Sequence, residues 1–322
     1  MRDHGGDLDR ARAVHGDGDW LDLSTGINRL AYPLPDLPPH AWTALPVAAD
    51  LAGLERAAAR AFGTGGPVVA LAGAQAAIQL VPRLAPPGRA AVLAPSYNEH
   101  AAALAAQGWT VDHVPDPAAM EGADLAVVVN PNNPDGRCWT PGDLRSLAGR
   151  VGRLIVDESF ADPHPDLSLA PRLGDLGEGA VILRSFGKFY GLAGLRLGFA
   201  LCGPQTAALL RRLAGPWAVG GPAIAVGTLA LGDEDWKRAT TRRLLADTAR
   251  LSALLDGAAG WPTVGRTALF VTARTGDAAA AQARLARAHI WTRRFPYDPG
   301  WLRLGLPGTE TEWRRLAAAL AG

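Results

Sequence analysis

The stretch Arg184-Ser185-Phe186-Gly187-Lys188-Phe189-Tyr190-Gly191-Leu192-Ala193-Gly194-Leu195-Arg196-Leu197-Gly198 decides how this chain is read. It joins two apolar runs of strand character, 180–184 and 197–201. The glycines between them imply close backbone packing. A lysine at the start of a helix is ordinarily a solvated cation. Lys188, however, has a hydroxyl three residues before it (Ser185) and a guanidinium eight residues after it (Arg196). That set suits a phosphate-bearing aldehyde, with Ser185 and Arg196 at the phosphate and Lys188 forming an imine.

Working outward, short apolar runs at 68–71, 90–94, 110–114, 124–129 and 153–156 predict further strands, and 74–84 and 141–149 predict helices between them. Strands separated by helical crossovers favour an α/β domain with a largely parallel sheet. Its ligand belongs beyond the carboxyl ends of the strands, near Gly73, Asn130, Asp157 and Ser185. After about Pro222 the texture changes: a long Arg- and Ala-rich helix over 233–255, a strand at 267–272, a helix at 278–289, a strand at 301–306 and a last helix from about 309. The expected division is an N-terminal arm (1–45) contributing to a small α/β domain, a large domain (46–222) and a C-terminal small domain (223–322).

Several strand ends carry chemistry. Asp157 closes the run 153–156 and suits a helix cap or ion pair as well as catalysis; beside a lysine-bound pyridine cofactor it would keep the ring nitrogen protonated. Asn130-Pro131-Asn132-Asn133-Pro134-Asp135-Gly136 reads as a turn that can also present the Asn133 amide to a cofactor oxygen. Gly73-Ala74-Gln75 opens a helix whose N–H groups suit an anion, without matching a dinucleotide or Walker fingerprint. Tyr97 can cover a ring face. Arg303 can grip a carboxylate bidentately, and Arg293 and Arg294 offer a second anion contact.

The bulk properties are those of an ordinary globular chain of 322 residues, with 32 basic against 31 acidic side chains, and give no reason to expect nucleic-acid binding. Cys138 and Cys202 indicate neither a disulfide framework nor a metal site. No apolar run is long enough to cross a bilayer, and the first residues lack a signal-peptide pattern, so a cytoplasmic protein is expected.

These motifs resemble those of fold-type I pyridoxal 5'-phosphate (PLP) enzymes of the class I/II aminotransferase superfamily. More closely they resemble the cobalamin-pathway threonine-phosphate decarboxylases, relatives of histidinol-phosphate aminotransferases. The likeness is carried by HGG at 4–6, WLDLSTGIN at 20–28, VVNPNNPDGR at 128–137, VDES at 156–159, the stretch at 184–198 and RRFPYDPGWLRLGLPG at 293–308. It implies a PLP-dependent transferase-like large domain with a mainly parallel sheet and a smaller α/β domain. It further implies Lys188 as the covalent attachment point, Asp157 at the pyridine nitrogen, Asn133 at the ring hydroxyl and Tyr97 over the ring. Ala74, Gln75, Ser185 and Arg196 are implied around the cofactor phosphate, Arg303 and Asn28 at the substrate carboxylate, and His4 and Arg294 at a substrate phosphate. Two positions depart from the pattern. Phe160 stands where many relatives have a tyrosine near the ring hydroxyl, and Ala44-Leu45-Pro46 stands where relatives offer a tyrosine across a dimer interface.

The implied reaction is decarboxylation of L-threonine O-3-phosphate to (R)-1-amino-2-propanol O-2-phosphate by a homodimer. The alternatives are an aminotransferase acting on histidinol phosphate or a related amino acid, and a non-catalytic regulatory protein on the same fold. The PLP residues alone do not separate the two reactions.

Overall fold

In the computed structural model, which describes residues 4–321, the apolar runs of the middle of the chain form one seven-stranded sheet. Its strands are β1 (Val68–Leu71), β2 (Arg89–Leu93), β3 (Thr110–Val114), β4 (Leu125–Val129), β5 (Leu154–Asp157), β6 (Ala180–Ser185) and β7 (Gly198–Cys202), in the spatial order β1-β7-β6-β5-β4-β2-β3. From β3 across to β6 every pairing is parallel; β7 alone runs antiparallel to both of its neighbours, β6 and β1. Strands such as LAVVV and LIVD are apolar at almost every position because both sheet faces are covered, as parallel sheets require; β1, β4, β5 and β7 are buried at every residue. Helices α1 (Ala48–Phe62), α2 (Ala74–Leu80), α3 (Asn98–Ala106), α4 (Phe186–Phe189) and α5 (Gly221–Gly232) belong to this unit. The helix expected over 74–84 ends at Leu80 and tightens into a 3-10 turn carrying Pro82, whose ring cannot continue the ladder.

The chain divides into two units. The large one holds Tyr32–Asn133 and Arg137–Lys237; the small one holds the residues up to Ala31, Pro134–Gly136 and Arg238–Gly322. By contact, the large unit takes in the segments 32–45 and 223–237, which the expected division gave to the arm and the C-terminal domain. The reason is packing: α5 lies against α1 and against the short helix His40–Thr43, so the segments 32–45 and 223–237 stay with the large sheet. In the small unit a four-stranded antiparallel sheet runs β10-β11-β9-β8, with β8 (Thr263–Thr267), β9 (Phe270–Arg274), β10 (Arg293–Phe295) and β11 (Asp298–Gly305). Helices α6 (Glu234–Ala259), α7 (Ala278–Arg287) and α8 (Glu310–Ala321) follow the sequence reading closely. Where a single strand was expected over 267–272 there is a hairpin. Its turn at Ala268-Leu269 lacks the usual Gly or Asn, and the Thr267 hydroxyl accepts the Leu269 N–H instead.

One buried ion pair fastens the centre of the large sheet. Glu158 accepts hydrogen bonds from the Arg184 guanidinium at 2.8 Å, the Ser168 hydroxyl at 2.6 Å and the Leu169 amide at 2.6 Å, while Arg184 also reaches Asp162 at 3.0 Å. Both partners are excluded from solvent, so removing Arg184 leaves Glu158 buried without its cationic partner. Arg184→Met is expected to lower unfolding free energy by about 3–5 kcal/mol, measured by equilibrium denaturation; a loss below about 1 kcal/mol would show that the pair contributes nothing specific.

Candidate active site

The last residue of β5, Asp157, is 2 % exposed, an unfavourable place for a carboxylate unless it is paired. The His100 ring N–H donates to Asp157 Oδ2 at 2.8 Å and the Ser159 amide donates to Oδ1 at 3.0 Å. Burial pushes the Asp157 carboxyl up, but His100, by hydrogen bond and charge, then Lys188, then Ser159 outweigh it and hold the group at about 2. The carboxylate is thus ionised throughout the neutral range. Lys188 stands on the single turn of α4 directly after β6, with Nζ 5.0 Å from the centre of the Phe160 ring. The chain has only one other lysine, Lys237, and that one is paired with Glu234 at 2.8 Å.

Around this pair the loops at the strand ends converge. Gly73, at φ 84°, precedes α2; a Cβ there would come within 2.9 Å of the Arg196 guanidinium. A Cβ on Gly198 would collide with the backbone of Gly73 and Ala74, so β7 and the start of α2 touch only because Gly198 lacks a side chain. Arg196 itself adopts the left-handed conformation, φ 54°. Ser185 caps α4 by position, yet its hydroxyl makes no capping bond. In the loop after β4, Asn130 is consumed by the backbone of Trp139 and Leu167, and Asn132 by Ser96 and Pro95. These two asparagines brace the loop that presents Asn133. The large unit therefore holds Lys188, Asp157, Asn133, Tyr97, Ala74, Gln75, Ser185 and Arg196 at neighbouring loops of one sheet end. An amine, a buried ionised carboxylate, an amide and a glycine-lined backbone beside a guanidinium are the groups that suit a phosphorylated pyridine aldehyde.

The other four sequence-derived residues, His4, Asn28, Arg294 and Arg303, belong to the small unit. Arg303 is buried in β11, with its guanidinium stacked 5.0 Å from Phe270 and bonded to the Ser24 carbonyl at 2.7 Å. The β10–β11 register sets Arg293 opposite Arg303 and Arg294 opposite Leu302. Directly opposed residues share a sheet face, so Arg293, not Arg294, stands beside Arg303, and both guanidiniums flank the Phe295 ring. His4 and Arg294 line a cavity of about 430 Å³ with Arg293, Arg10 and Thr292. Asn28 lies apart from that cavity; its carbonyl accepts from Arg243 at 2.8 Å and from the Leu30 amide.

Sequence reasoning missed His100. Its position on the first turn of α3, three residues after Tyr97, was the available signal. Among the described residues no group of His, Cys, Asp and Glu side chains is arranged to hold a metal ion, and no helix is long and apolar enough to cross a membrane.

Residues 42–320 match the model of the family described as aminotransferase class I and II. The chain is 44% identical to a threonine-phosphate decarboxylase of Sinorhizobium, over 99% of this chain and 97% of that protein. It is likewise 44% identical to a threonine-phosphate decarboxylase of Pseudomonas aeruginosa, over 100% and 98%. Its fold superposes on the crystal structure of histidinol-phosphate aminotransferase from Sinorhizobium meliloti in complex with pyridoxal-5'-phosphate, with a TM-score of 0.83, 21% identity and coverage of 100% and 94%.

The Asp157–His100 bond has a signed consequence. A carboxyl held at about 2 when folded, against about 3.9 when unfolded, adds stability that is complete above the unfolded value and is lost as pH falls towards the folded one. His100→Phe should therefore cost about 2 kcal/mol at pH 7, by denaturant titration, and its deficit relative to wild type should shrink between about pH 4 and pH 2. A deficit that stays constant across that window refutes the linkage.

Proposed function

Because this chain belongs to the class I and II aminotransferase family, we propose that it is a PLP-dependent enzyme that decarboxylates L-threonine O-3-phosphate to (R)-1-amino-2-propanol O-2-phosphate and CO2, a step of cobalamin biosynthesis run in the cytoplasm by a homodimer. The observation that carries the substrate and reaction is the 44% identity, over essentially the full length of both chains, to two threonine-phosphate decarboxylases.

PLP, when bound, supplies a sink for the electron pair left on the substrate α-carbon when its bond to the carboxyl carbon breaks. Lys188 Nζ would anchor that cofactor covalently and would carry a proton to the substrate α-carbon. Asp157 holds a proton on the pyridine nitrogen, which its depressed pKa equips it to do at any working pH. Asn133 takes the ring hydroxyl without help from position 160, because Phe160 has no donor. Ser185, Arg196 and the amides of Ala74 and Gln75 hold the cofactor phosphate. Arg303 and Arg293, side by side on one face of the small sheet, are fitted to the two anionic ends of a phosphorylated amino acid. Asn28 supports the carboxylate end and His4 and Arg294 the phosphate end, with Arg294 secondary to Arg293.

The homodimer draws support from Trp42, Leu45, Val47, Trp217 and Leu229, each more than half exposed on the large unit. Trp42, Leu45 and Val47 fall within six positions of one another in the chain, and large apolar side chains gathered on a surface mark an interaction site.

Purified protein supplied with PLP and phosphothreonine should release one CO2 per amine formed, and Lys188→Ala should abolish both product and the borohydride-trapped adduct. Amino transfer without CO2 would falsify the decarboxylase reading and favour an aminotransferase. Arg293→Ala should raise KM for phosphothreonine about tenfold or more, and Arg294→Ala less than about threefold; the reverse order in steady-state kinetics would show that the sheet register does not govern substrate binding.

A further inference from the structure

Glu99 is buried, 5 % exposed, on the first turn of α3, between Tyr97 and His100. Its Oε2 accepts a hydrogen bond from Gln75 Nε2 at 2.9 Å, and Gln75 Oε1 accepts a longer one, 3.4 Å, from the Tyr97 hydroxyl. A carboxylate can only accept, whereas an amide has one end that donates and one that accepts. The buried carboxylate therefore dictates which way the Gln75 amide points: nitrogen towards Glu99, carbonyl oxygen towards Tyr97. Both polar ends of the Gln75 side chain are thereby used inside the protein, which leaves its backbone N–H as the part of the residue that serves a ligand. The same helical turn carries His100, whose ring N–H is fixed on Asp157. One turn of α3 thus bears two tethers, Glu99 to Gln75 beside the glycine-lined loop and His100 to the strand-end carboxylate, and Gln75 passes the first on to Tyr97.

We propose that Glu99 is a positioning residue of the cofactor pocket, whose carboxylate sets the direction of the Gln75 amide and through it holds Tyr97 by its hydroxyl over the ring face. The inference rests on the PLP reading above. It assigns Glu99 no contact with the reacting atoms: the residue acts through Gln75, and its removal disturbs how the cofactor is held before it disturbs how substrate binds.

Glu99→Gln tests this with little change of shape. A second amide at 99 can offer Gln75 either its oxygen or its nitrogen, so the direction is no longer enforced. The readouts on PLP-loaded protein are the circular dichroism induced in the cofactor band, the rate of PLP loss into a competing apo-enzyme, and kcat and KM with phosphothreonine. E99Q is expected to lose about half of the induced signal, to release PLP about fivefold faster and to lower kcat about threefold, with KM moving less than about twofold. Tyr97→Phe should behave similarly, and E99Q/Y97F should release PLP no more than about twofold faster than the worse single variant, because both changes cut one chain of bonds. Fully multiplicative effects of E99Q and Y97F overturn the proposal, as does an E99Q protein indistinguishable from wild type in the cofactor band. A wild-type protein with no cofactor band at all overturns the PLP reading and the inference with it. Should E99Q fail to fold, the swapped pair Q75E/E99Q again faces an amide donor with a carboxylate; recovery of the induced signal supports the proposal and a silent band overturns it.

Discussion

A carboxylate buried at the end of a central strand and kept ionised is the constraint around which the large unit is organised. Taking such a group out of water is costly unless hydrogen bonds and charge are arranged around it. Here the compensation comes from two directions: His100 and the Ser159 amide bond to Asp157, and Lys188 attracts it electrostatically. His100 can reach Asp157 only because α3 follows β2, and β2 lies beside β4, which in turn pairs with β5. The next residue, Glu158, bonds to Arg184, four residues before Lys188. Two consecutive carboxylates thus tie to the same segment of chain, Asp157 to its lysine and Glu158 to the strand that delivers that lysine. The alignment of β5 with β6 is set by charge as well as by the backbone ladder.

Much of this was legible in the sequence, and the parts that were share a physical reason. Strand runs in a parallel sheet are apolar on both faces, so β1, β4, β5 and β6 stand out, and their carboxyl ends mark where Asp157, Asn133 and Lys188 gather. Gly198 was visible as a glycine; that it permits β7 to touch the start of α2 was not, because the contact joins residues more than a hundred positions apart. His100 and Glu99 were illegible for a related reason. Each looks like an ordinary polar residue on a helix, and only the packing of α3 shows that their partners are Asp157 and Gln75. Arg293 and Arg294 illustrate a third limit. Adjacent residues in a strand face opposite ways, and which arginine joins Arg303 depends on the pairing of β10 with β11, a register that composition does not carry. The hairpin of β8 and β9 escaped notice because a threonine hydroxyl does the work usually signalled by Gly or Asn.

The places where the chain passes between its two units follow the same logic. It leaves or enters the large unit at Tyr32, Asn133, Arg137 and Lys237. Tyr32 is fastened there by its amide to the Tyr190 carbonyl at 2.8 Å and by its hydroxyl to Asp233 at 3.3 Å. Trp236, next to Lys237, stacks on Tyr190 with ring centres 5.4 Å apart, and Tyr190 stacks on Phe186 at 4.3 Å. Tyr190 and Phe186 flank Lys188 at two residues on either side, and Asn133 is itself the residue proposed for the ring hydroxyl. The remaining passage, at Arg137, is held by bonds from its guanidinium to the Pro115 and Ala94 carbonyls. Three of the four passages are therefore anchored on residues that bear or adjoin the reactive groups. Aromatic packing around α4, being dense and resistant to small displacements, gives the lysine helix and two of the passages a common rigid base.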